Sequence, residues 1–144
     1  MTTDTEKLIG DYLAAWNSHD TKKLLSFFTD DCVYEDVALG VLKRGKKELS
    51  DFINESFTGF PDLKFELRGC YFSTEWACRE WVMTGTHSGD LPKLRATGRT
   101  ISVRGAGISE VKGDKISCHT DYYDLVTLMR QLGVLPPPPQ GVAP

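Results

Sequence analysis

The sequence predicts an α+β domain in which a curved antiparallel sheet wraps around N-terminal helices and forms a cone with an interior pocket. Up to about Phe57 the apolar residues recur at helical spacing, whereas from Pro61 onward they alternate as in strands. Helices therefore precede strands, an order that places the helices on one face of a sheet. Gly98, Gly105 and Gly107 lie within or beside the later strands and predict bends. A bent sheet over helices leaves an interior that suits a ligand.

Three helices are predicted before the sheet. Asp20 is placed to cap the second, a short helix, and the third runs from about Lys46 to Phe57. Between these two helices, CVYEDV has the composition of a strand and leads into a glycine-containing loop. The first helix is defined by apolar residues at three- and four-residue intervals, namely Leu8, Ile9, Tyr12, Leu13 and Trp16.

A hairpin with its turn around Thr74 is predicted from the first two alternating stretches. Continuing its second strand places His87 at the end of the apolar face. The predicted cross-strand pairs are Leu67 with Trp81, Phe65 with Met83, Arg68 with Glu80, and Cys70 with Cys78. In a reducing cytosol we expect these two cysteines to remain free thiols.

The rest of the chain is predicted to finish the sheet and then form one more helix. Asp124 can cap this short helix and Gly133 can end it. Residues 1–135 are then one domain, and the proline-rich residues 136–144 are an extended or disordered tail. Before the helix we predict a loop over 87–98, a strand over 100–111, a turn over 112–114 and a strand over 115–123.

Composition and charge restrict the function classes. The chain has 144 residues, a formal charge of −3 and a pI of about 5.6, which argues against nucleic acid as a partner. No apolar run approaches the roughly 18 residues that a membrane span needs, and the polar start of the chain lacks a secretory pattern. We therefore expect a cytoplasmic protein. The four cysteines are widely spaced, so no zinc site is expected.

The segment HTDYYDLVTLMRQLGVLP resembles the SnoaL-like family of polyketide cyclases, within the nuclear transport factor 2-like superfamily. TGTHSG and ATGR, which flank the long loop, support this resemblance. It implies a site without a cofactor, in which Asp121 is the acid/base of an intramolecular aldol ring closure. It also favours a three-residue turn in the last hairpin, with Asp121 facing Gly105 and His119 facing Gly107. A two-residue turn remains an alternative, and it would place Ala106 opposite Asp121 and Ile108 opposite His119.

The N-terminal half is similar to bacterial ketosteroid isomerases in the segments YLAAWNSHD and YEDVALG. This second similarity implies that Tyr12 stabilises a dienolate and that Asp36 shuttles a proton. The sequence departs from the cyclases at Gly105 and Gly107, where they carry a glutamine and a histidine. These glycines either remove bulk from the pocket wall, which would admit a wider and flatter substrate, or only let the sheet bend.

The expected chemistry is removal of a proton from carbon beside a carbonyl group, which needs a base at the carbon and a donor at the oxygen. Burial would raise the pKa of Asp121 and strengthen it as that base. His119 can orient the carboxylate or donate to substrate oxygen, and His87 is a weaker candidate. The expected pocket lining comprises Trp16, Tyr34, Trp81, Met83, His87, Gly105, Gly107 and Tyr123.

We thus expect a cyclase, isomerase or lyase that acts on a hydrophobic carbonyl compound. The alternative is a non-catalytic domain for small-molecule binding or dimerisation, because fold does not determine function. Hydrolysis of an epoxide or ester would need an Asp-Arg-Asp constellation, and none is evident in the sequence. A homodimer is expected through the outer sheet face, with Val82, Ile101 and Tyr122 as candidates for the contact.

Overall fold

The computed structural model describes residues 4–139 and 141 and places one six-stranded sheet beside four helices. The sheet is curved and does not close into a barrel, and its strand order is β2-β1-β6-β5-β4-β3. The elements are α1 (Asp4–Ser18), α2 (Thr21–Leu25), β1 (Phe28–Asp36), β2 (Val41–Arg44), α3 (Gly45–Gly59), β3 (Lys64–Phe72), β4 (Trp76–Thr86), β5 (Thr100–Lys112), β6 (Lys115–Tyr123) and α4 (Leu125–Gln131).

The two short helices, α2 and α4, begin at the side-chain caps that the sequence predicts. The Asp20 side chain accepts a hydrogen bond from the Lys23 backbone N–H at 3.0 Å and caps α2. Asp124 caps α4 in the same way through the Thr127 N–H at 3.1 Å. Gly133 follows this helix with φ of 78°, a conformation that glycine adopts without steric cost. Both predicted caps are therefore confirmed.

The β3–β4 hairpin has the predicted register only up to a bulge. Phe65 pairs with Met83 and Leu67 with Trp81, as predicted. The register then shifts at Arg68, which has no partner of its own. Two predicted pairs are therefore wrong, because one extra residue moves every later partner by one position. Beyond the bulge Gly69 pairs with Glu80, Cys70 with Arg79 and Tyr71 with Cys78, and both cysteines are free thiols.

The β5–β6 hairpin differs from both predicted registers. Its turn has two residues, since Lys112 pairs with Lys115, and a further shift occurs at Ser117. The bulge shifts every later pair by one position relative to a regular two-residue turn. Beyond the bulge, each side chain therefore faces the same side of the sheet as in the predicted three-residue register. As a result Gly107, not Gly105, lies opposite Asp121. The remaining cross-strand partners of interest are Gly105 with Tyr123 and Ser109 with His119.

The pairing of β1 with β6 is parallel, so the sheet is mixed, whereas the sequence predicted a wholly antiparallel one. The short strand β2 was also not predicted, and it pairs with β1 at the sheet edge. Parallel pairing makes Asp36 and Asp121 register partners at the ends of the two strands. Residues from opposite halves of the chain thus meet at one place in the sheet.

The three residues named as candidates for a contact on the outer sheet face differ in their exposure. Tyr122 is 48% exposed, whereas Val82 is buried and Ile101 belongs to the core between the sheet and the helices. Ile101 therefore does not face outward, which removes it as a candidate for the contact. In the described part of the chain, no helix is both long and apolar enough to cross a membrane. Residues 136–139 of the predicted tail have no regular secondary structure, and residues 140 and 142–144 lie outside the described part.

Candidate active site

An open cavity of about 440 Å³ lies between the helices and the concave face of the sheet. Its wall is mainly aromatic and aliphatic, and two aspartates, Asp36 and Asp121, face it from neighbouring strands. The apolar lining includes side chains from α1, α3, the strands, the loop before β5 and α4, among them Trp16, Phe52, Phe60, Leu63, Phe65, Trp81, Met83, Leu91, Leu94, Ile101, Leu128 and Leu132. A carboxylate in such surroundings is partly desolvated, which favours its neutral form.

Each aspartate accepts a hydrogen bond from a tyrosine on the other strand. Tyr34 of β1 donates its hydroxyl hydrogen to Asp121 Oδ2 on β6. Tyr123 of β6 donates to Asp36 Oδ2 on β1 at 2.8 Å. The two pairs arise because side chains two residues apart on a strand project from the same face. β1 and β6 thus carry a reciprocal pair of tyrosine–carboxylate contacts.

The second oxygen of Asp121 is the end of a buried hydrogen-bonded chain. His119 Nε2 lies 2.7 Å from Asp121 Oδ1, and His119 Nδ1 lies 2.8 Å from Ser109 Oγ. The Arg79 guanidinium reaches Ser109 Oγ at 3.0 Å and His119 Nδ1 at 3.3 Å. Its hydrogen bonds thus go to Ser109 and His119 and not to an aspartate. The chain runs from a permanent cation to the cavity-facing carboxylate.

The electrostatics of Asp121 differ from the prediction that burial would raise its pKa. Burial acts in that direction, but the interaction with His119, the hydrogen bond from Tyr34 and the charge of Arg79 outweigh it and hold the Asp121 pKa below its usual value. Burial lowers the pKa of His119, and Asp121 only partly offsets this. The site therefore holds an ionised Asp121 within hydrogen-bond distance of a neutral imidazole.

Asp36 lies in a different electrostatic environment although it faces the same cavity. It is 5% exposed, and burial raises its pKa to about 6, with a contribution from the nearby negative charge of Asp121. Hydrogen bonds from the Leu39 backbone N–H at 2.8 Å and from Tyr123 lower the pKa only in part. Asp36 is thus a carboxyl group that exchanges a proton near neutral pH.

Gly105 and Gly107 permit close packing and do not widen the cavity. A Cβ atom added at Gly105 would lie 2.4 Å from the Trp81 indole ring. One added at Gly107 would lie 2.9 Å from both Asp121 Oδ1 and His119 Cε1. The Trp81 ring and the His119–Asp121 pair thus fill the space beside these glycines. The opening of the pocket wall that the sequence suggested is not found.

The structure brings most of the predicted pocket residues to the cavity, namely Trp16, Tyr34, Trp81, Met83 and Tyr123. Tyr12 is only 1% exposed and lies behind this wall, where Arg79 sits over its ring at 5.1 Å from the centroid. His119 is likewise buried behind the wall and lines, with Tyr12 and Arg79, a recess of about 10 Å³.

His87 lies apart from the candidate site. It is fully buried and its ring stacks on Phe60 with centroids 5.2 Å apart. Its Nδ1 accepts a hydrogen bond from the Thr97 backbone N–H at 3.2 Å. These contacts tie the start of the long loop to its end, where the Gly98 N–H donates to the His87 carbonyl at 2.8 Å. His87 therefore has a structural position in the loop and does not line the cavity.

Arg79 and Ser109 were not identified from the sequence. A signal for Arg79 was present, because it shares the side-chain parity of Trp81 and Met83 on β4. An arginine on the apolar face of a strand must be paired if it is buried. Ser109 carries no such signal, since its importance depends on the register shift that places it opposite His119.

No group of three or more His, Cys, Asp or Glu residues in the described chain is arranged to hold a metal ion. The polar groups at the cavity are instead arranged as proton donors and acceptors. One carboxylate is held ionised by donors, and the other takes up a proton near neutral pH. Such a pair can perform general acid and general base steps on a bound molecule.

Comparisons with solved structures identify the fold. A proposed SnoaL-like polyketide cyclase from Jannaschia sp. CCS1 superposes with a TM-score of 0.83 at 14% identity, over 94% of this chain and 95% of that chain. TsrD from Streptomyces laurentii superposes with a TM-score of 0.80 at 24% identity, over 92% of this chain and 96% of TsrD. The third structure is a Catenulispora acidiphila protein with a ketosteroid isomerase-like fold, in complex with trimethylamine. It superposes with a TM-score of 0.78 at 21% identity, over 94% of this chain and 96% of that chain. These matches confirm the predicted cone-shaped α+β fold.

The family follows from the sequence comparison. No curated protein sequence gives a significant match. The family model for SnoaL-like polyketide cyclases, in contrast, matches residues 6–132, which include all but the first two residues of α1, the three later helices and both cavity-facing aspartates. Because this match covers most of the chain, the protein belongs to the SnoaL-like polyketide cyclase family.

Proposed function

We propose that this protein is a cofactor-independent acid/base enzyme that closes a ring in a hydrophobic carbonyl compound by an aldol-type reaction. One observation carries the proposal: two aspartates that are register partners face one apolar cavity, and their surroundings move their pKa values in opposite directions. Paired groups with separated pKa values are the usual arrangement for an acid and a base at one site.

In the proposed reaction Asp121 is the base. Its carboxylate removes a proton from carbon beside a substrate carbonyl, and the C–H electron pair becomes the enolate. The enolate carbon then bonds to a second carbonyl carbon of the same molecule, whose C=O electron pair becomes an alkoxide. Asp36 protonates this alkoxide. The raised pKa of Asp36 supports the donor role, and an apolar substrate would raise it further by displacing water.

The raised pKa of Asp36 also favours a second candidate, an isomerase-type reaction. Asp36 alone would then remove the proton and return it to another carbon of the same substrate. The position of Tyr12 weakens this candidate, because the tyrosine expected to stabilise the dienolate is buried behind the cavity wall, next to Arg79. The two reactions make opposite predictions about which aspartate removes the proton.

The test is deuterium exchange at the acidic carbon of an aryl-substituted 1,3-diketone in D₂O, followed by proton NMR. For the proposed base, Asp121→Asn lowers the protein-catalysed exchange rate by about 100-fold or more, whereas Asp36→Asn retains exchange. The matched control is Asp31→Asn, which changes an exposed aspartate on the same strand as Asp36. The isomerase reaction predicts the reverse pattern for the two site variants.

A different result would support the non-catalytic alternative. If the diketone binds but exchanges no faster than in buffer, the cavity serves binding and not proton transfer. We also propose, as in the sequence-based expectation, that the protein is cytoplasmic and a homodimer. Exposed Tyr122, Ile108 and Trp76 on the strands β4 to β6 support a contact surface, and sedimentation velocity would measure the oligomeric state.

A further inference from the structure

We propose that Arg79 is a positioning residue that, with Ser109, fixes the proton of His119 on Nε2 and so aims a hydrogen-bond donor at Asp121. The catalytic consequence rests on the proposed role of Asp121 as a base. The hydrogen-bonding arrangement itself does not, because it follows from the donors and acceptors present and can be measured without a substrate.

The assignment begins with Arg79, whose guanidinium has donors and no acceptor. It donates from Nη1 to Ser109 Oγ at 3.0 Å, so the serine oxygen accepts this hydrogen bond. The hydroxyl hydrogen of Ser109 is then available for His119 Nδ1, which lies 2.8 Å away. Arg79 Nη2 lies 3.3 Å from the same nitrogen. Two donors thus converge on His119 Nδ1, and only an unprotonated nitrogen can accept them.

The other ring nitrogen must then carry the proton in the neutral imidazole. His119 Nε2 lies 2.7 Å from Asp121 Oδ1, where its N–H donates to the carboxylate. The opposite tautomer would point an N–H at the Arg79 donors and a lone pair at a carboxylate. Both contacts would be repulsive in a region where all three side chains have little access to water. The chain of four residues therefore has one consistent set of donors.

Burial limits the hydrogen-bond partners that are available to Arg79, Ser109 and His119. Arg79 is 2% exposed, Ser109 is fully buried and His119 is 1% exposed. Water therefore cannot supply alternative partners freely, and an unpaired polar group here is costly. Nη1 and Nη2 of Arg79 are paired with Ser109 and His119, whereas its buried Nε has no hydrogen-bond partner in the described part of the chain.

The groups around His119 come from five elements of the fold. Its neighbours are Tyr12 from α1, Tyr34 from β1, Arg79 from β4, Ser109 from β5 and Asp121 from β6. Arg79 is the permanent cation in this set. Its charge opposes protonation of His119 and favours ionisation of Asp121. Both effects preserve a neutral donor beside an ionised acceptor.

The experiment is NMR of the full-length protein labelled with ¹⁵N and ¹³C in histidine and aspartate. At pH 7 the ring nitrogens of His119 should show the neutral Nε2–H tautomer. Arg79→Gln should produce a mixture of tautomers and raise the Asp121 pKa by about one unit or more, since an opposite charge nearby shifts a carboxyl by that amount. Arg104→Gln, which removes an exposed arginine from β5, is the matched control and should change neither signal.

Ser109→Ala provides a second test if Arg79→Gln does not fold. It removes only a hydroxyl and should weaken the preference for the Nε2–H tautomer, whereas Ser109→Thr should restore it. An Nδ1–H or doubly protonated ring in the unmodified protein at pH 7 overturns the proposal. So does an unchanged tautomer and Asp121 pKa in the folded Ser109 and Arg79 variants.

The same variants separate this inference from the proposed function. If the tautomer and the Asp121 pKa shift as expected while diketone exchange stays unchanged, Arg79 positions His119 but Asp121 is not the base. If the rate of diketone exchange falls, and the acid limb of its pH–rate profile moves to higher pH together with the Asp121 pKa, both proposals are supported. A structural role for Arg79 alone would lower the amount of folded protein without moving that limb.

Discussion

Asp36 and Asp121 are neighbours on adjacent strands, face the same cavity and accept one tyrosine hydroxyl each, yet they differ in what lies behind them. Behind Asp121 is His119, which in turn contacts Ser109 and the Arg79 guanidinium. The other donors to Asp36 are the backbone N–H groups of Leu39 and Ala38. Burial acts on both carboxyl groups in the same direction, but the Asp121 pKa is lowered and the Asp36 pKa rises to about 6.

This difference shows that proximity to the cavity does not determine the protonation state of a carboxyl group. A hydrogen-bonded chain that ends in a cation compensates the cost of burying a charge, whereas neutral donors alone do so incompletely. The protein thus obtains two functionally distinct groups from the same residue type. Variants that remove or exchange the supporting contacts test this comparison directly.

The largest effect is expected when the cation behind Asp121 is removed. Arg79→Met should lower the free energy of unfolding by about 3–5 kcal/mol, because it removes the donor to Ser109 and His119 and the cation that helps to compensate the buried charge of Asp121. Arg104→Met removes an exposed arginine and should change it by no more than about 0.5 kcal/mol. Urea denaturation at pH 7 measures both values. Equal losses in the two variants would show that Arg79 does not compensate Asp121.

An intermediate and pH-dependent effect is expected for Asp36. Its folded-state pKa of about 6 lies above the unfolded reference of 3.8, so its contribution to stability is present below the unfolded value and lost as pH rises through 6. Asp36→Asn removes this pH dependence. Its free energy of unfolding, relative to that of the unmodified protein, should therefore rise by up to about 3 kcal/mol between pH 4 and pH 8, since each pKa unit corresponds to about 1.4 kcal/mol.

Denaturant unfolding of both proteins at pH 4 and pH 8 provides the measurement for Asp36. Asp31→Asn, at an exposed position of the same strand, serves as the control and should show no such gain. A difference between Asp36→Asn and the unmodified protein that stays constant over this range would mean that Asp36 titrates like an exposed aspartate.

The smallest effect is expected from the two tyrosines. Removing a hydroxyl that donates to a carboxylate should raise the pKa of that carboxyl by about one unit. Tyr34→Phe should therefore act on Asp121, and Tyr123→Phe on Asp36. Carboxyl-carbon NMR titration distinguishes the two. A crossed result, in which either variant moves the other aspartate more, would contradict the reciprocal arrangement of donors.

Much of the fold could be predicted because it depends on local patterns. Helical spacing located α1 and α3, side-chain capping located the starts of α2 and α4, and alternation located the strands after α3. Leu67 and Trp81 were even paired correctly. The register failed beyond Arg68 and around Ser117, because a bulge inserts one backbone position without requiring a distinctive side chain.

The candidate site was less predictable because its contacts join distant parts of the sequence. Asp36 and Asp121 were recognised separately through two family resemblances, but their contact follows from a parallel strand pair that no local pattern indicates. The partners Tyr34 and Tyr123 were expected only as pocket lining. The opposite pKa shifts could not be predicted, because they depend on Arg79 and on which groups the fold buries together.

The parallel pairing of β1 and β6 also has a consequence for the order of folding. β1 is near the start of the chain and β6 near its end, so their alignment closes a long loop and carries a large entropic cost. Both tyrosine–carboxylate contacts form in that one step. A nascent chain that still lacks β6 also lacks α4, and it contains neither contact.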